Sequence, residues 1–434
     1  MLSAFANAFR TPDLRRKLLF VLMIITIFRL GSQVPAPGVD VGNVQACIDI
    51  ASSGSNSSLY SMVNLFSGGA LLQLTIFALG IMPYITASII LQLLVVVIPR
   101  LEALKKEGQS GQTKITQYTR YLTLGLAVLQ ATGIVALARS GNLLQGCDRS
   151  LLRDDTTATF LVMVVTMTAG TAVIMWLGEL ITERGIGNGM SLLIFTQVIS
   201  HFPSSLWAVQ KANGWWTLSI VVVIGLVIIA AVIFVEQAQR RIPVQYARRM
   251  VGRKMFGGSS TYIPLKVNQA GVIPVIFASS LLYLPAMLAS FNNDPNNKWA
   301  TWINDYLVRG DHPLYMLAFF GLIVFFTYFY VSITFNPQEV ADNMKKYGGF
   351  IPGIRAGKPT EEYLSYVLSR ITLPGALYLG LIALIPLIAF AVIGANQNFP
   401  FGGTSILIMV GVALDTVKQI ESQLQQRNYE GFLR

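Results

Sequence analysis

Stretches of about twenty apolar residues recur along the whole chain, and they constrain the fold more than any other feature. A transmembrane helix needs about 20 mostly apolar residues to cross the hydrocarbon layer. Only 12% of the residues are charged, whereas a soluble chain carries about a quarter. The sequence therefore predicts an all-α integral membrane protein. We expect about ten spans, numbered in chain order, near 18–34, 75–98, 116–138, 156–177, 189–206, 215–235, 271–291, 313–335, 371–393 and 403–420.

The basic residues are distributed unevenly between the two predicted sides of the membrane. With the N-terminus placed in the cytoplasm, the large majority of the 32 lysines and arginines fall in cytoplasmic segments. This distribution follows the positive-inside rule and predicts that both termini are cytoplasmic. Arg15, Arg16 and Lys17 precede an apolar run as in a signal peptide, but no small-residue cleavage motif follows Gly31. We therefore expect a retained first helix.

The predicted spans divide into two sets of five, in an N-terminal half over 1–206 and a C-terminal half over 207–434. Because each half holds an odd number of spans, the second half starts from the opposite side of the membrane. We therefore expect two inverted halves, and inverted repeats place a pathway at their interface. Two long, basic cytoplasmic loops, 237–270 and 336–370, also stand out. Long loops in compact proteins often carry function.

Two glycine-containing breaks interrupt the chain near the second span. Ser67-Gly68-Gly69 and, shortly afterwards, Gly80 and Pro83 would weaken a membrane helix. Irregular backbone at membrane depth is tolerated only where protein buries it or water lines it. The pattern therefore predicts a short re-entrant helix over 59–73, followed by a true crossing over 75–98. A single longer, kinked second helix is the alternative.

The residues that carry metal or redox chemistry are few. Cys47 and Cys147 both fall on the predicted outer side, where disulfides are permitted. A bond between them and two free thiols are both open from the sequence. Two cysteines and two histidines in no ligand spacing predict no metal site. The glycine-rich segment 185–189 opens a membrane helix with no strand before it, so it predicts a helix start and no cofactor site.

Three classes of function remain to be weighed for a protein of this kind. A coupled transporter usually buries charged residues in its spans, and here the span centres are almost free of charge. An inverted-repeat secondary transporter of a small solute nevertheless stays open as the alternative to a channel. An intramembrane enzyme is the weakest class, because there is no His-Glu-x-x-His motif and His201 and His312 lie near span ends.

Long blocks spread along the chain resemble the SecY family, the channel-forming large subunit of the bacterial Sec protein translocon. The resemblance covers essentially the whole chain, and both cytoplasmic loops match the bacterial branch. The two cysteines are not part of the family pattern. The matching blocks include "NLFSGGAL", "IFALGIMPYITASIILQLL", "KKEGQSGQTKITQYTRY", "WLGELITERGIGNGMSLLIF", "PLKVNQAGVIPVIFASS", "FNPQEVADNMKKYGGFIPGIRAGKPT" and "FGGTSILI".

The resemblance implies a protein-conducting channel that passes unfolded secretory polypeptides and releases apolar segments sideways into lipid. A pore for any polypeptide must still block ions, and a ring of aliphatic side chains dewets when it is empty. By the family match, the helix over 59–73 is a plug hinged at Ser67, Gly68 and Gly69. The family's ring comes from spans 2, 5, 7 and 10, and it corresponds to Ile81, Ile85, Leu193, Ile194, Ile276 and Ile408.

The resemblance also implies a lateral gate and a cytoplasmic docking face. The gate lies between spans 2 and 3 on one side and spans 7 and 8 on the other. Its polar candidates are Thr86, Gln92, Ser279 and Ser280. The expected partners are the membrane subunits SecE and SecG, the ATPase SecA, the translating ribosome, signal peptides and membrane lipid, in the bacterial inner membrane. The docking candidates for SecA and the ribosome are Arg355, Arg248, Arg249 and Lys358.

Overall fold

The computed structural model describes most of the chain as helices that run back and forth. It describes residues 9, 11–51, 70, 73–139, 141, 150–154, 156–246, 249–251, 254–256, 260–291, 302–303, 306–307, 312–393 and 403–432. The helices within these residues are α1 (Pro12–Gly31), α2 (Val41–Ala51), α3 (Met82–Val97), α4 (Pro99–Lys106), α5 (Gln109–Arg139), α6 (Thr157–Arg184), α7 (Gly189–Gln237), α8 (Ile273–Phe291), α9 (Pro313–Thr334), α10 (Pro337–Lys346), α11 (Lys358–Ile393) and α12 (Gly403–Phe432). The strands are β1 (Gln239–Tyr246), β2 (Arg249–Val251), β3 (Lys254–Phe256), β4 (Ser260–Lys266) and β5 (Gly349–Phe350).

The helices follow the predicted spans in order. Spans 1 to 4 correspond to α1, α3, α5 and α6, spans 5 and 6 to the two arms of α7, and spans 7 to 10 to α8, α9, α11 and α12. In the described segments five helices are long and apolar enough to cross a membrane, or six when the bent pair α3 and α4 counts as one. The chain is thus a multi-pass helical membrane protein, as the sequence predicts, and the number of ten spans stays a prediction.

Helix α7 contains the junction between the two predicted halves. Its first arm is capped by Asn188, whose side-chain oxygen accepts a hydrogen bond from Met190 N at 3.1 Å. The backbone leaves the helical conformation at Gly214, where φ is 77° and ψ is 178°. Glycine adopts such a positive φ without the steric cost that a side chain would add. The break lies slightly beyond the predicted boundary at 206–207.

The predicted start of span 2 is wrong. The sequence predicts a crossing over 75–98, but α3 begins only at Met82, and residues 73–81 run as turns. Their backbone is bonded to the end of the first helix and the chain that follows it. Ala36 N donates to Leu74 O, and Ile76 N donates to Val34 O, both at 2.9 Å. These long-range bonds replace the helical ones, so we call residues 73–81 the ring turn.

A second set of backbone bonds joins the first outer loop to the second. Asp40 N donates to Leu151 O at 3.0 Å, and Arg153 N donates to Gly38 O at 3.0 Å. The Asn43 side chain adds a bond from Nδ2 to the carbonyl of the residue before Leu151, at 3.1 Å. We call residues 34–47 the outer strap, because they contact the ring turn at one end and the second outer loop at the other.

The cytoplasmic loops contain more regular structure than the sequence analysis predicts. The loop 237–270 holds a β-hairpin, and β1 pairs antiparallel with β4 on one side and with β5 on the other. The segment 336–370, predicted as a loop, is not irregular throughout. It includes α10, which Asn336 caps by accepting from Gln338 N at 3.2 Å, and the first turns of α11. The remaining irregular segment is short, and Phe350 pairs with Gln245 of the hairpin.

Candidate channel site

The six predicted ring residues lie together in one apolar cluster, which we call the central cluster. Its residues come from several elements, among them the ring turn, α3, α7, α8 and α12. Leu193 is 0% exposed, and Ile81 and Ile408 are each 1% exposed. The other members are more open, with Ile194 at 8%, Ile276 at 9% and Ile85 partly buried. Side chains that lie far apart in the sequence thus meet where the two predicted halves join.

The six ring residues of this cluster offer aliphatic side chains without polar atoms to a passing chain. Isoleucine and leucine side chains cannot coordinate an ion or donate a hydrogen bond. A constriction lined by such groups excludes water when it is empty, and ions lose their hydration there. The arrangement is therefore suited to sealing, and it gives no specific contact to any one passing chain.

Aromatic and sulfur-containing side chains support this cluster from the N-terminal half. Phe28 of α1 and Phe77 of the ring turn stack with ring centroids 5.9 Å apart and an interplanar angle of 14°. Met190 and Ile174 pack into the same cluster. The sequence analysis missed these residues, since each of them also fits an ordinary apolar span. Phe77 and Met190 lie inside the family blocks around Ile81 and Leu193, and Ile174 lies just before the second block, whereas Phe28 carries no such signal.

Glycines let the ring turn approach two neighbouring helices closely. A Cβ on Gly170 of α6 would collide with the carbonyl oxygen of Ile76, and a Cβ on Gly31 would collide with the Phe77 ring. The ring turn also contains Leu74, which has φ of 49° although it is not glycine, and its side chain is 0% exposed. A non-glycine residue with positive φ costs about 1–3 kcal/mol, so the surrounding contacts must hold the turn in place.

The predicted gate residues lie on two helices that meet in a seam, with Thr86 and Gln92 on α3 and Ser279 and Ser280 on α8. Thr86 and Ser279 each donate to a carbonyl of their own helix at 2.9 Å. Gln92 is exposed on α3. The hydroxyl oxygen of Ser280 is buried and has no hydrogen-bond partner among the described residues. The structure therefore brings α3 and α8 together, but it shows no side-chain bond across the seam between these four residues.

An ion pair that the sequence analysis missed joins α5 to α6. Arg120 Nε donates to Glu179 Oε1, and Arg120 Nη2 donates to Glu179 Oε2, both at 2.8 Å. The Glu179 side chain is 19% exposed, and that of Arg120 is 43% exposed. Two parallel charge-assisted bonds fix orientation as well as distance. The pair therefore ties predicted span 3, on one side of the gate, to span 4 behind it.

Three of the four predicted docking residues lie in described segments around the sheet of β4, β1 and β5. Arg355 is exposed, and its carbonyl accepts a hydrogen bond from Thr360 Oγ1 at 2.9 Å. Ile351, just before it, is buried in a core with the hairpin, so Arg355 projects from a packed base. Lys358 is exposed as the first residue of α11. Arg249 lies in β2, and Arg248 lies outside the described residues.

The predicted plug lies almost entirely outside the described residues, as do its hinge residues Ser67, Gly68 and Gly69. Its two flanks are described. Cys47 of α2 is 0% exposed and is disulfide-bonded. The other cysteine of the chain, Cys147, lies outside the described residues.

Comparisons with known proteins agree with this architecture. The family model described as SecY matches residues 75–417. A protein translocase subunit SecY from Streptomyces scabiei is 68% identical over 440 residues, covering 100% of both chains. One from Mycobacterium tuberculosis is 60% identical over 442 residues, again covering 100% of both. A solved structure described as a protein-conducting channel has a TM-score of 0.60 and 18% identity, covering 94% of this chain and 91% of the other.

The fold and these relatives define the class of protein. It is a multi-pass helical membrane protein of the translocation-channel class, with an apolar cluster where its two predicted halves meet. Within that class, the chain belongs to the SecY family.

Proposed function

We propose that this chain forms a channel for unfolded secretory polypeptides, and that the central cluster is its seal. The observation that carries the proposal is that six aliphatic residues from four separate segments lie in one cluster. A conduit for polypeptides of any sequence needs a constriction without specific contacts, and aliphatic side chains meet that need. Family membership favours this function over the solute-transporter alternative.

The two halves, 1–206 and 207–434, are proposed to be an inverted pair of five spans each, with the pathway between them. Support comes from the contacts of α3 with α8 and of α7 with α12. The excess of lysine and arginine on one predicted side supports cytoplasmic termini and an inner-membrane location.

Residues 59–73 are proposed to plug the channel on the outer side of the central cluster. Described contacts hold the chain before the segment and its last residues. Cys47 and Val44 of α2 are buried before it, and Ala70, near its end, accepts a bond from Thr75 N at 3.0 Å. The plug therefore lies between the outer strap and the ring turn along the chain, and its movement is expected to leave both in place.

Lateral release of apolar segments is proposed to occur between α3 and α8. The four polar candidates make no bond across this seam to each other, so few specific interactions have to break when it opens. The ion pair of Arg120 with Glu179 is expected to keep α5 and α6 together, so that the seam opens at α3 and α8.

The cytoplasmic sheet, with Arg355 exposed near its edge, is proposed to dock SecA and the translating ribosome. Solved relatives of similar fold include Sec61 in a canine ribosome–channel complex, with a TM-score of 0.58. SecE and SecG are proposed as membrane partners. The chain is proposed to have no catalytic activity, so the free energy for directional movement comes from a partner.

Reconstitution tests this function directly. Vesicles that contain the chain with SecE are mixed with SecA, ATP and a radiolabelled secretory precursor, and protease-protected precursor is measured. We expect protection that requires ATP, SecA and an intact signal sequence. A precursor without its signal sequence is the matched control. Equal protection of both precursors, or none with either, would contradict the proposal.

A further inference from the structure

A short connector joins the cytoplasmic hairpin to α8. This connector, residues 267–272, begins where the hairpin closes, with Val267 N donating to Ala238 O at 3.0 Å. It ends where α8 starts at Ile273. One short segment thus joins the proposed docking element to the helix that carries Ile276 and Ser279.

The connector is closely packed at two of its residues, Val267 and Ala270. A Cβ on Gly375 of α11 would collide with the carbonyl oxygen of Val267, so the two backbones touch. Ala270 is 2% exposed and packs against Val331 at the end of α9 and Leu368 of α11. We expect a displacement of the hairpin base to reach the start of α8 through these two close contacts, because packed side chains and backbone have little room to yield.

One polar contact holds this connector to the end of α7. Asn268 Nδ2 donates to Glu236 Oε1 at 2.6 Å and to Gly271 O at 3.1 Å. Asn268 is 3% exposed and Glu236 is 9% exposed, so the carboxylate is nearly removed from solvent. Lys266 and Lys418 lie close enough to act on the charge of Glu236 electrostatically. The short bond to a carboxylate is of the stronger, charge-assisted kind.

The amide oxygen of Asn268 is left without a hydrogen-bond partner among the described residues, although it is buried. A buried acceptor without a partner is costly, and an apolar residue of similar size would avoid the cost. The asparagine is therefore not explained by packing alone. What it supplies is the pair of N–H groups that hold Glu236 and the turn before α8.

We infer that Asn268 is a positioning residue that latches the docking hairpin and α8 to the end of α7, in the closed channel. A cytoplasmic partner that shifts the hairpin base breaks the bond of Asn268 to Glu236, and α8 is then released at the seam with α3. This inference rests on the proposed function, because it assigns the hairpin to docking and α8 to the gate.

The test measures the distance across the seam in the channel reconstituted with SecE and SecG. Spin labels at Val96→Cys of α3 and Leu281→Cys of α8 use two exposed positions, 51% and 44% exposed. Labelling without reductant spares the disulfide-bonded Cys47. Distances are recorded by pulsed electron paramagnetic resonance in the idle channel and after addition of bacterial ribosomes.

Asn268→Ala should raise the ratio of open to closed seams in the idle channel by about ten- to a hundredfold, the range that one charge-assisted bond provides. Ribosomes should then add little further opening. Asn336→Ala is the matched control, because it removes an asparagine side chain that caps α10 nearby without touching the connector. We expect the control to leave the idle seam closed and responsive to ribosomes.

A reciprocal exchange separates the latch from a general loss of stability. Asn268→Asp places two carboxylates together and should open the idle seam further than Asn268→Ala. Adding Glu236→Gln to Asn268→Asp restores a donor opposite an acceptor and should close the seam in part, because the bond to Gly271 O is still missing. These two variants also test the latch if Asn268→Ala fails to insert into the membrane, since the double variant keeps both side-chain volumes.

The outcomes distinguish the two proposals. If the wild-type seam opens with ribosomes and Asn268→Ala behaves as the wild type does, the latch is overturned. If adding Glu236→Gln leaves the seam as open as Asn268→Asp alone does, the pairing of residue 268 with Glu236 is overturned. If the wild-type channel neither responds to ribosomes nor imports precursor, the proposed function itself fails.

Discussion

Replacing Gly170 with alanine is expected to disturb the central cluster from behind. Gly170 lies in α6, and its missing side chain leaves room for the carbonyl of Ile76 in the ring turn. The added Cβ would also lie 3.0 Å from the carbonyl carbon of Ile76 and 3.2 Å from its Cγ2 atom. The ring turn cannot retreat freely, because Ile76 N is bonded to Val34 O. Either α6 or the turn that carries Ile81 must therefore shift.

The size of the effect follows from two opposing terms. Alanine favours a helix over glycine by about 1 kcal/mol, which would stabilise the variant. Overpacking a dense site costs about 1–3 kcal/mol, and here the obstructing atoms belong to backbone and cannot rotate away. Gly125→Ala is the matched control, since a Cβ there meets nothing within 4 Å in the middle of α5. We expect the control to be neutral or more stable, and Gly170→Ala to be less stable.

Two measurements on the purified complex check this reasoning. Thermal unfolding should show a midpoint lowered by about 1–3 °C for Gly170→Ala relative to Gly125→Ala. Vesicles that hold the idle variant should also leak a small anion faster than the control, since Ile81 moves with the ring turn. Equal midpoints and equal leak rates in the two variants would show that the close approach of Gly170 to Ile76 does not matter.

Three further predictions concern the seal, the docking face and the disulfide. Ile408→Ser should make idle vesicles leak, because a polar side chain wets the constriction, whereas Val165→Ser on the exposed face of α6 should not; tight vesicles in both cases would refute the assignment. Arg355→Glu should give a well-folded, inserted channel that fails in SecA-driven import, and near-normal import would show that Arg355 has no special role in docking. Peptide mapping without reduction should find Cys47 linked to Cys147, and alkylation of both thiols in the folded protein would exclude the bond.

The spans could be predicted from the sequence because hydropathy is a local property. A window of apolar residues around α6 or α9 is visible without any knowledge of its neighbours. The grouping of the six ring residues came from the family match, since each isoleucine alone fits lipid contact or ordinary packing. The cap of α10, by Asn336 followed by Pro337, was present in the sequence and was missed inside a polar loop.

The ring turn could not be predicted, because distant backbone determines it. Residues 75–81 are apolar enough for a helix, but their hydrogen-bonding groups pair with the outer strap and lie against Gly31 and Gly170. Leu74 gives no warning of its positive φ, since leucine rarely adopts one. The bond of Asn268 to Glu236 is hidden for the same reason, because hydropathy carries no information about which polar groups meet.

The outer strap has a consequence for how quickly the channel reseals. It anchors the chain before the proposed plug through Cys47, and the ring turn anchors the chain after it at Ala70. The 18 residues of the stretch 52–69 are tethered at both ends. Even when the stretch is fully extended, its middle reaches no farther than about 30 Å from these two anchor points. Its return is therefore an intramolecular encounter, at an effective concentration in the millimolar range. For the proposed plug, this tether means that resealing can begin as soon as a translocated polypeptide leaves.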